Sequence, residues 1–502
     1  MAHQKVTNKM KLLVIGIDGG TTKILEGMPM PFTKKLLSEG KQQRMNEDLL
    51  SRGWAEILTG HHASTTSAFY MMPFCDHSYR FSISYNQKDL STKRGVVPIW
   101  KLLNERGYSV GIMNVPTTAP APTVNGFAVA GGGGGLKASG GISESMVYPK
   151  KIAKLLNERG YVADIRLPGN CATVSEFATK ITKAQSCQKD SYLDLCKQDQ
   201  PEFGFFCFRM TTELQYLAKS EIDRYVLGSR EGTSSFDERR NLAPTLASLI
   251  EHYKHMDNCI RDLFEALDPD HFMILGDHST ASFLHEVNLD IWLQQNDFLE
   301  LMGTWEDAID DYSYKLARLG NRWMARLGLS KPWLSHRRPI TRFSRRRTRA
   351  FSTFYDTGNF AGIYINDSDR FRGPVHGVTA MEELVADLCS KFNETPEAKQ
   401  YGMVATPYRA KFAEEKYCQY MPDIRIEKPD TMYFSGRRPS FITCNPHYGE
   451  LSEKLEGVRY PHTGLKGSDP VFCISPGLSH LVDVESVSDL TLAYRICDRL
   501  FD

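Results

Sequence analysis

The run Lys11–Ile17 (KLLVIGI) is apolar without alternation and stops at Asp18-Gly19-Gly20, the pattern of a strand buried on both faces that opens into a polar loop. Phe32–Glu39 comes next with helical spacing and closes on Gly40, a favourable helix stop. Trp54–Leu58 is a second apolar segment, ending at Thr59-Gly60. Further on, Ile99–Arg106 predicts a helix, Ser109–Val115 a strand and Pro116–Pro122 a turn-rich loop. Phe203–Phe208 and Phe272–Leu275 read as two more buried strands, with a helix over Pro244–Leu267 between them. The second of these delivers Gly276-Asp277-His278. Alternation of this kind favours a mainly parallel sheet with helices on both faces.

The remainder reads less regularly. Residues 300–350 are charged and helical in pattern, and Gly362–Asn366, Glu382–Phe392 and Pro422–Ile426 suggest a small strand-and-helix unit. Pro470–Ser475 reads as a strand and Ser488–Leu500 as a helix. Lys101–Tyr108 and Lys154–Tyr161 both read KLLNERGY, a local helix-plus-glycine repeat too short to establish duplicated domains. The glycines Gly131–Gly135 suggest a mobile loop rather than a phosphate cradle, since no GK[ST] ending comes after them.

At 502 residues the chain has room for two or three domains, or for one large α/β domain carrying an insertion. Lys plus Arg number 61 against 60 Asp plus Glu, so net charge gives no reason to expect a nucleic-acid coat or a membrane surface as partner. No stretch has the length of a signal core or a membrane span, and the expected location is cytoplasmic. The eleven cysteines are scattered without a C-x-x-C pair, which argues against a zinc ribbon and against a disulfide framework.

Local chemistry is more telling. Asp18, Asp277 and His278 all fall at the carboxyl ends of predicted buried strands, where open α/β sheets place their ligands. Together they could hold a divalent ion, which supplies positive charge to a phosphoryl group; the plainer reading makes Asp18 a cap and Asp277-His278 a loop pair. Arg337–Arg349 carries seven arginines in thirteen positions, either a solvated face or a grip on phosphates that would bias the substrate towards nucleotides or nucleic-acid ends. His61-His62 and Asp76-His77 receive no role.

The order of segments resembles phosphohydrolases of the alkaline phosphatase superfamily, in its type I phosphodiesterase/nucleotide pyrophosphatase branch. VIGIDGG, MPMPFTKKLLSEG and GWAEILTG look like that family's opening; NVPTTAPAPTVNGFAVAGG is similar to its segment after the second helical stretch, MILGDHST to its SDHG motif, and VNLDIWL to its succeeding N-x-W-L. TRAFSTFYDTGNFAGIYIN, MPDIRI and YPHTGLKGSDPVFCISPG resemble its insertion and its last metal-ligand loop. The resemblance implies a three-layer α/β/α sandwich, with a catalytic core over residues 11–283 and 431–502 and an inserted α+β cap unit over 284–430. It implies one or two divalent ions, zinc or manganese, with Asp18, Asp277 and His278 on one and His462 on a second. The family's Ser/Thr nucleophile position falls on Leu50, with Ser51 beside it, so a one-residue shift makes Ser51 the candidate. Relatives carry D-x-x-x-H after a strand to complete the second site, whereas FFCFRMTTELQYL puts Thr212 and Tyr216 there, as substrate-binding residues in place of two ligands.

The implied function is metal-dependent hydrolysis of a phosphodiester or nucleotide-type ester through a phosphoenzyme, with a small phosphorylated substrate and no membrane partner. The alternative is a one-metal or non-catalytic phosphate-ester binder on the same fold. GIDGGTTK also looks like the first phosphate loop of actin-like sugar kinases, but Pro29 and Pro31 lead into a helical pattern where those enzymes need a hairpin. No C-x-P-x-R or C-x-A-x-R segment supports a sulfatase with a modified cysteine.

Overall fold

The structure is a computed structural model of the 502-residue chain. It describes residues 9–70, 95–132, 141–166, 171–230, 244–302, 343–352, 359–360, 362–436, 438–449, 454–455, 462–483 and 485–502, with scattered positions between 72 and 82 and between 312 and 324. The glycines at 133–135 and the arginines at 337, 338 and 342 lie outside the described residues.

Eight strands form the main sheet: β1 (Leu12–Ile17), β2 (Lys41–Gln42), β3 (Val110–Met113), β4 (Gly126–Val129), β5 (Val147–Tyr148), β6 (Phe203–Phe208), β7 (His271–Leu275) and β8 (Phe472–Ile474). Their order is β2-β8-β7-β1-β6-β3-β4-β5. The five central strands are parallel, and β2, β8 and β5 add antiparallel edges. Apolar runs on β1 and β6 are buried along their whole length, as expected for strands covered on both faces.

The two-residue period of a strand sorts these side chains into two cores. Leu13, Ile15 and Ile17 of β1 pack with Phe206, Phe208 and the helices α1 (Pro31–Glu39), α4 (Val174–Asp199), α5 (Thr211–Arg230) and α6 (Pro244–Leu267) on one face, the label α4 coming after α2 (Gly53–Thr59) and α3 (Ile99–Glu105) in the chain. Leu12 and Val14 pack with Phe203, Phe205, α2, α3 and α7 (Thr491–Leu500) on the other. The result is a three-layer α/β/α architecture. The KLLNERG repeat ends two short helices, with Gly107 at φ +88° and Gly160 at φ +70°.

The chain divides into two compact units, residues 1–70, 84–284 and 445–502 in the first, and 71–83 with 285–444 in the second. The resemblance sets the insertion at 284–430. By itself the second unit is α+β: strands 350–352, 362–365, 424–427 and 404–407 form one antiparallel sheet, with a helix over Val378–Glu394. Buried Arg370 ties it internally by pairing Asp367 and Asp423, each at 2.5 Å. The described part of the arginine run is engaged inside this unit: Arg347 meets Glu300 at 2.8 Å, and Arg345 and Arg349 lie over the rings of Tyr79 and Phe298. Among the described residues no helix is long and apolar enough to cross a membrane.

Candidate metal centre

Parallel pairing of β1 with β7 builds the centre. The register sets Gly16 beside Leu275, and carried two residues further it sets Asp18 beside Asp277 just past the strand ends. Gly19 turns the chain away at φ +73°, where a Cβ would meet Gln215, Thr212 and Thr280 at 2.7–2.9 Å, so glycine is required on both counts. Asp18, Asp277 and His278 are buried, and one ligand atom from each lies within 4.8 Å of the others.

Each ligand is held from behind. Asp18 Oδ2 accepts from Trp54 Nε1 at 3.1 Å, and Asp277 Oδ2 accepts from the Tyr70 hydroxyl at 3.3 Å. His278 Nδ1 lies 2.7 Å from the Ser279 carbonyl, which can only accept, so Nδ1 carries the proton and the Nε2 lone pair faces the centre. Nε2 is 3.5 Å from Asp18 Oδ1 and 3.7 Å from Asp277 Oδ1. Asp277 Oδ1 is buried with no hydrogen-bond partner. Two buried carboxylates aimed at one point need a cation, and a neutral imidazole with an inward lone pair completes a hard-ion donor set. The residues therefore fit a divalent ion.

The electrostatics agree. Burial pushes the Asp277 carboxyl up, and the charge of Asp18 adds to it. Burial would raise Asp18 too, but the contact with His278 and the charges of Arg209 and Lys466 outweigh it and hold that carboxyl below the ordinary range. Burial lowers Lys466 to about 8 against the pull of Asp277 and Asp18.

The other residues singled out from the sequence are placed around this centre in different ways. Tyr216, on α5, brings its hydroxyl to 3.2 Å from His278 Nε2. Its ring stacks between those of His278 and His462, with centroids 6.1 and 6.0 Å away. His462 is outside the converging group of ligand atoms, and its carbonyl accepts from Asn445 Nδ2 at 3.1 Å. Thr212 is buried near Tyr216 and beside Gly19. Ser51 is buried opposite Phe69, its Oγ accepting from Ala63 N at 2.8 Å, with the Glu56 carboxyl nearby. No described hydrogen bond joins Ser51 to the three ligands. Its segment nonetheless runs alongside them, because a Cβ on Gly53 would sit 2.3 Å from the Asp277 carbonyl oxygen. Burial pushes the Glu56 carboxyl up, reinforced by Glu47 and Asp48.

Sequence reasoning missed Trp54, Tyr70, Lys466 and Arg209. Trp54 read as an apolar position, and only the fold turns its indole N–H to Asp18. Arg209, just past β6, is buried between Glu213 at 2.8 Å and Asp164 at 3.2 Å. Removing the Trp54 N–H while keeping an aromatic ring tests the support it gives: Trp54→Phe is expected to weaken divalent-ion affinity by about 10- to 100-fold, the usual cost of losing a partner behind a ligand. Equilibrium dialysis with Mn(II) measures this, and an unchanged affinity would show that Asp18 needs no such support.

Comparison with known proteins gives three findings. The family model described as type I phosphodiesterase / nucleotide pyrophosphatase matches residues 12–330. Phosphonoacetate hydrolase from Sinorhizobium meliloti 1021, solved with phosphonoformate and with phosphonoacetate, superposes with TM-scores of 0.54 and 0.55 at 10% identity, over 98% of this chain and 96% of that one. Murine ectonucleotide pyrophosphatase / phosphodiesterase 5 overlaps at TM-score 0.45 and 12% identity, over 98% of this chain and 95% of that one. No curated protein matches the chain in sequence.

Proposed function

The chain belongs to the type I phosphodiesterase / nucleotide pyrophosphatase family, phosphoric ester hydrolases of the alkaline phosphatase superfamily, and on that premise we propose that it cleaves a small phosphodiester or nucleotide-type ester at a divalent ion held by Asp18, Asp277 and His278. The observation that carries this reading is the orphaned Asp277 Oδ1, facing Asp18 Oδ1 and His278 Nε2 while the far atom of each ligand is bonded elsewhere. Zinc or manganese suits a set of two carboxylates and one imidazole. When bound, such an ion polarises a phosphoryl oxygen.

Ser51 is the proposed nucleophile. The buried Glu56 carboxyl beside it would take the proton as the Ser51 oxygen bonds to phosphorus and the ester oxygen leaves; water then releases the phosphoenzyme. Tyr216 and Thr212 orient the phosphoryl group, Tyr216 from the half-buried side of the centre. None of the eleven cysteines is in a disulfide, which supports a cytoplasmic setting.

The test is hydrolysis of an aryl phosphodiester and an aryl phosphomonoester with Mn(II), Zn(II) or Mg(II), comparing the parent with Ser51→Ala. Turnover is expected to fall by about 1,000-fold or more in the variant, in line with loss of a covalent nucleophile. Retention of turnover would move the nucleophile elsewhere, and a folded parent inactive with every ion and both esters would favour the binder reading.

A further inference from the structure

Lys466 enters the centre on a short antiparallel pair of strands, Gly464–Gly467 against Ser279–Ser282, which begins one residue after His278. Its ammonium donates to the Tyr70 hydroxyl and lies 3.8 Å from the centroid of that ring. Tyr70 in turn donates to Asp277 Oδ2. The chain Lys466–Tyr70–Asp277 thus joins a fixed positive charge to the back of a proposed ion ligand.

Burial shows where that charge is accessible. Asp18, Asp277 and His278 form a buried floor, whereas Tyr70, Tyr216, His462 and Lys466 are half-buried. These four form the more exposed rim of the residues around the centre. A charge count gives the rim its meaning. Two carboxylates balance one divalent ion, and Arg209 and Arg166 are matched by Asp164 and Glu213, so Lys466, together with Arg52 over the Tyr70 ring, adds positive charge beside the centre. Nothing comparable is assembled for a second ion: the family's second-site ligand positions carry the neutral side chains of Thr212 and Tyr216, and among the described residues no other group of three acidic, histidine or cysteine ligands converges.

We propose that the site is built for one divalent ion and that Lys466, steadied by Tyr70, binds the phosphoryl oxygen of the substrate in place of a second ion. This rests on the ion-centre reading above. An ammonium needs no ligand set of its own, and besides the N–H it gives to Tyr70 it carries further donors that can turn to an anion. A phosphoryl group held by Lys466 and by the proposed ion would have its ester oxygens fixed in one orientation.

The experiment uses the full-length chain and two measurements that do not depend on turnover: Mn(II) bound per chain by equilibrium dialysis, and binding of inorganic phosphate to the Mn(II)-loaded protein by calorimetry. The parent is expected to take up one Mn(II). Lys466→Met is expected to keep that stoichiometry and affinity while phosphate binding weakens by at least about tenfold, the scale of one charge-assisted hydrogen bond, and Lys466→Arg is expected to restore most of it. Two tight ions per chain, an unchanged phosphate affinity in Lys466→Met, or a loss of Mn(II) along with phosphate would each overturn the proposal. A folded parent that takes up no Mn(II) would overturn the ion centre as well, which separates failure of the premise from failure of the role given to Lys466.

Discussion

Asp277→Ala is expected to lower phosphodiester hydrolysis by about 1,000-fold or more. Of the converging group among the described residues, the variant leaves only Asp18 and His278, and two such ligands are too few to hold a divalent ion against water. A second signature separates this from general damage. In the ion-free protein Asp277 is a buried carboxyl lifted by burial and by Asp18, so removing it also removes a buried charge that opposes folding. The ion-free variant should therefore melt near the parent. The parent should gain about 2.7 kcal/mol when Mn(II) stands at about a hundred times its dissociation constant, and the variant should gain almost nothing. Thermal melts with and without Mn(II) read both effects, and a variant that keeps the parent's Mn(II)-induced shift would remove Asp277 from the centre. Asp277→Asn, which preserves shape, should match the alanine variant in turnover if charge is what matters.

The second large effect is structural in origin. Gly53 opens α2 against the Asp277 backbone, where an added Cβ would stand 2.3 Å from the Asp277 carbonyl oxygen, 2.7 Å from Leu490 Cδ1 and 3.0 Å from Asp277 Cβ. The first contact is with backbone, which cannot rotate away as a flexible side chain can. Gly53→Ala is expected to cost about 3 kcal/mol, at the upper end for overpacking a buried site. It should also reduce turnover, because relief of the clash moves either Asp277 or Trp54, one residue along, whose N–H holds Asp18. Urea denaturation gives the stability and the aryl diester assay gives the turnover. A denaturation midpoint equal to the parent's would show that the helix start relaxes freely and that the close approach is not needed.

Much of this fold is written in local pattern. The apolar run read at Lys11–Ile17 is a strand over Leu12–Ile17, the run at Phe203–Phe208 is a strand over those same residues, and the periodic segment Pro244–Leu267 is a helix with those bounds. The strand expected at Ser109–Val115 is shorter, Val110–Met113, because the ladder ends where the neighbouring Gly126–Val129 strand ends. Asp18 and Asp277 could be singled out because polar residues at the end of a two-sided apolar run are unusual, and strand ends are where such sheets gather ligands.

Convergence itself was not legible. That Asp18 and Asp277 stand side by side depends on β1 and β7 being neighbours in register, a pairing across more than 250 residues that no local period encodes. The same holds for Trp54, Tyr70 and Lys466, whose partners lie far along the chain and whose residue types are ordinary in strands, loops and helix starts. Ser51 shows the converse: its position in the chain pointed to the centre, and the fold turned its hydroxyl to the backbone N–H of Ala63. Periodicity is a property of a few successive residues and decides which elements form and which faces they bury. Strand order, register and side-chain direction are decided only when those faces close on one another, and in this chain that closure assembles the charge, the hydrogen bonds and the ligand atoms of the site.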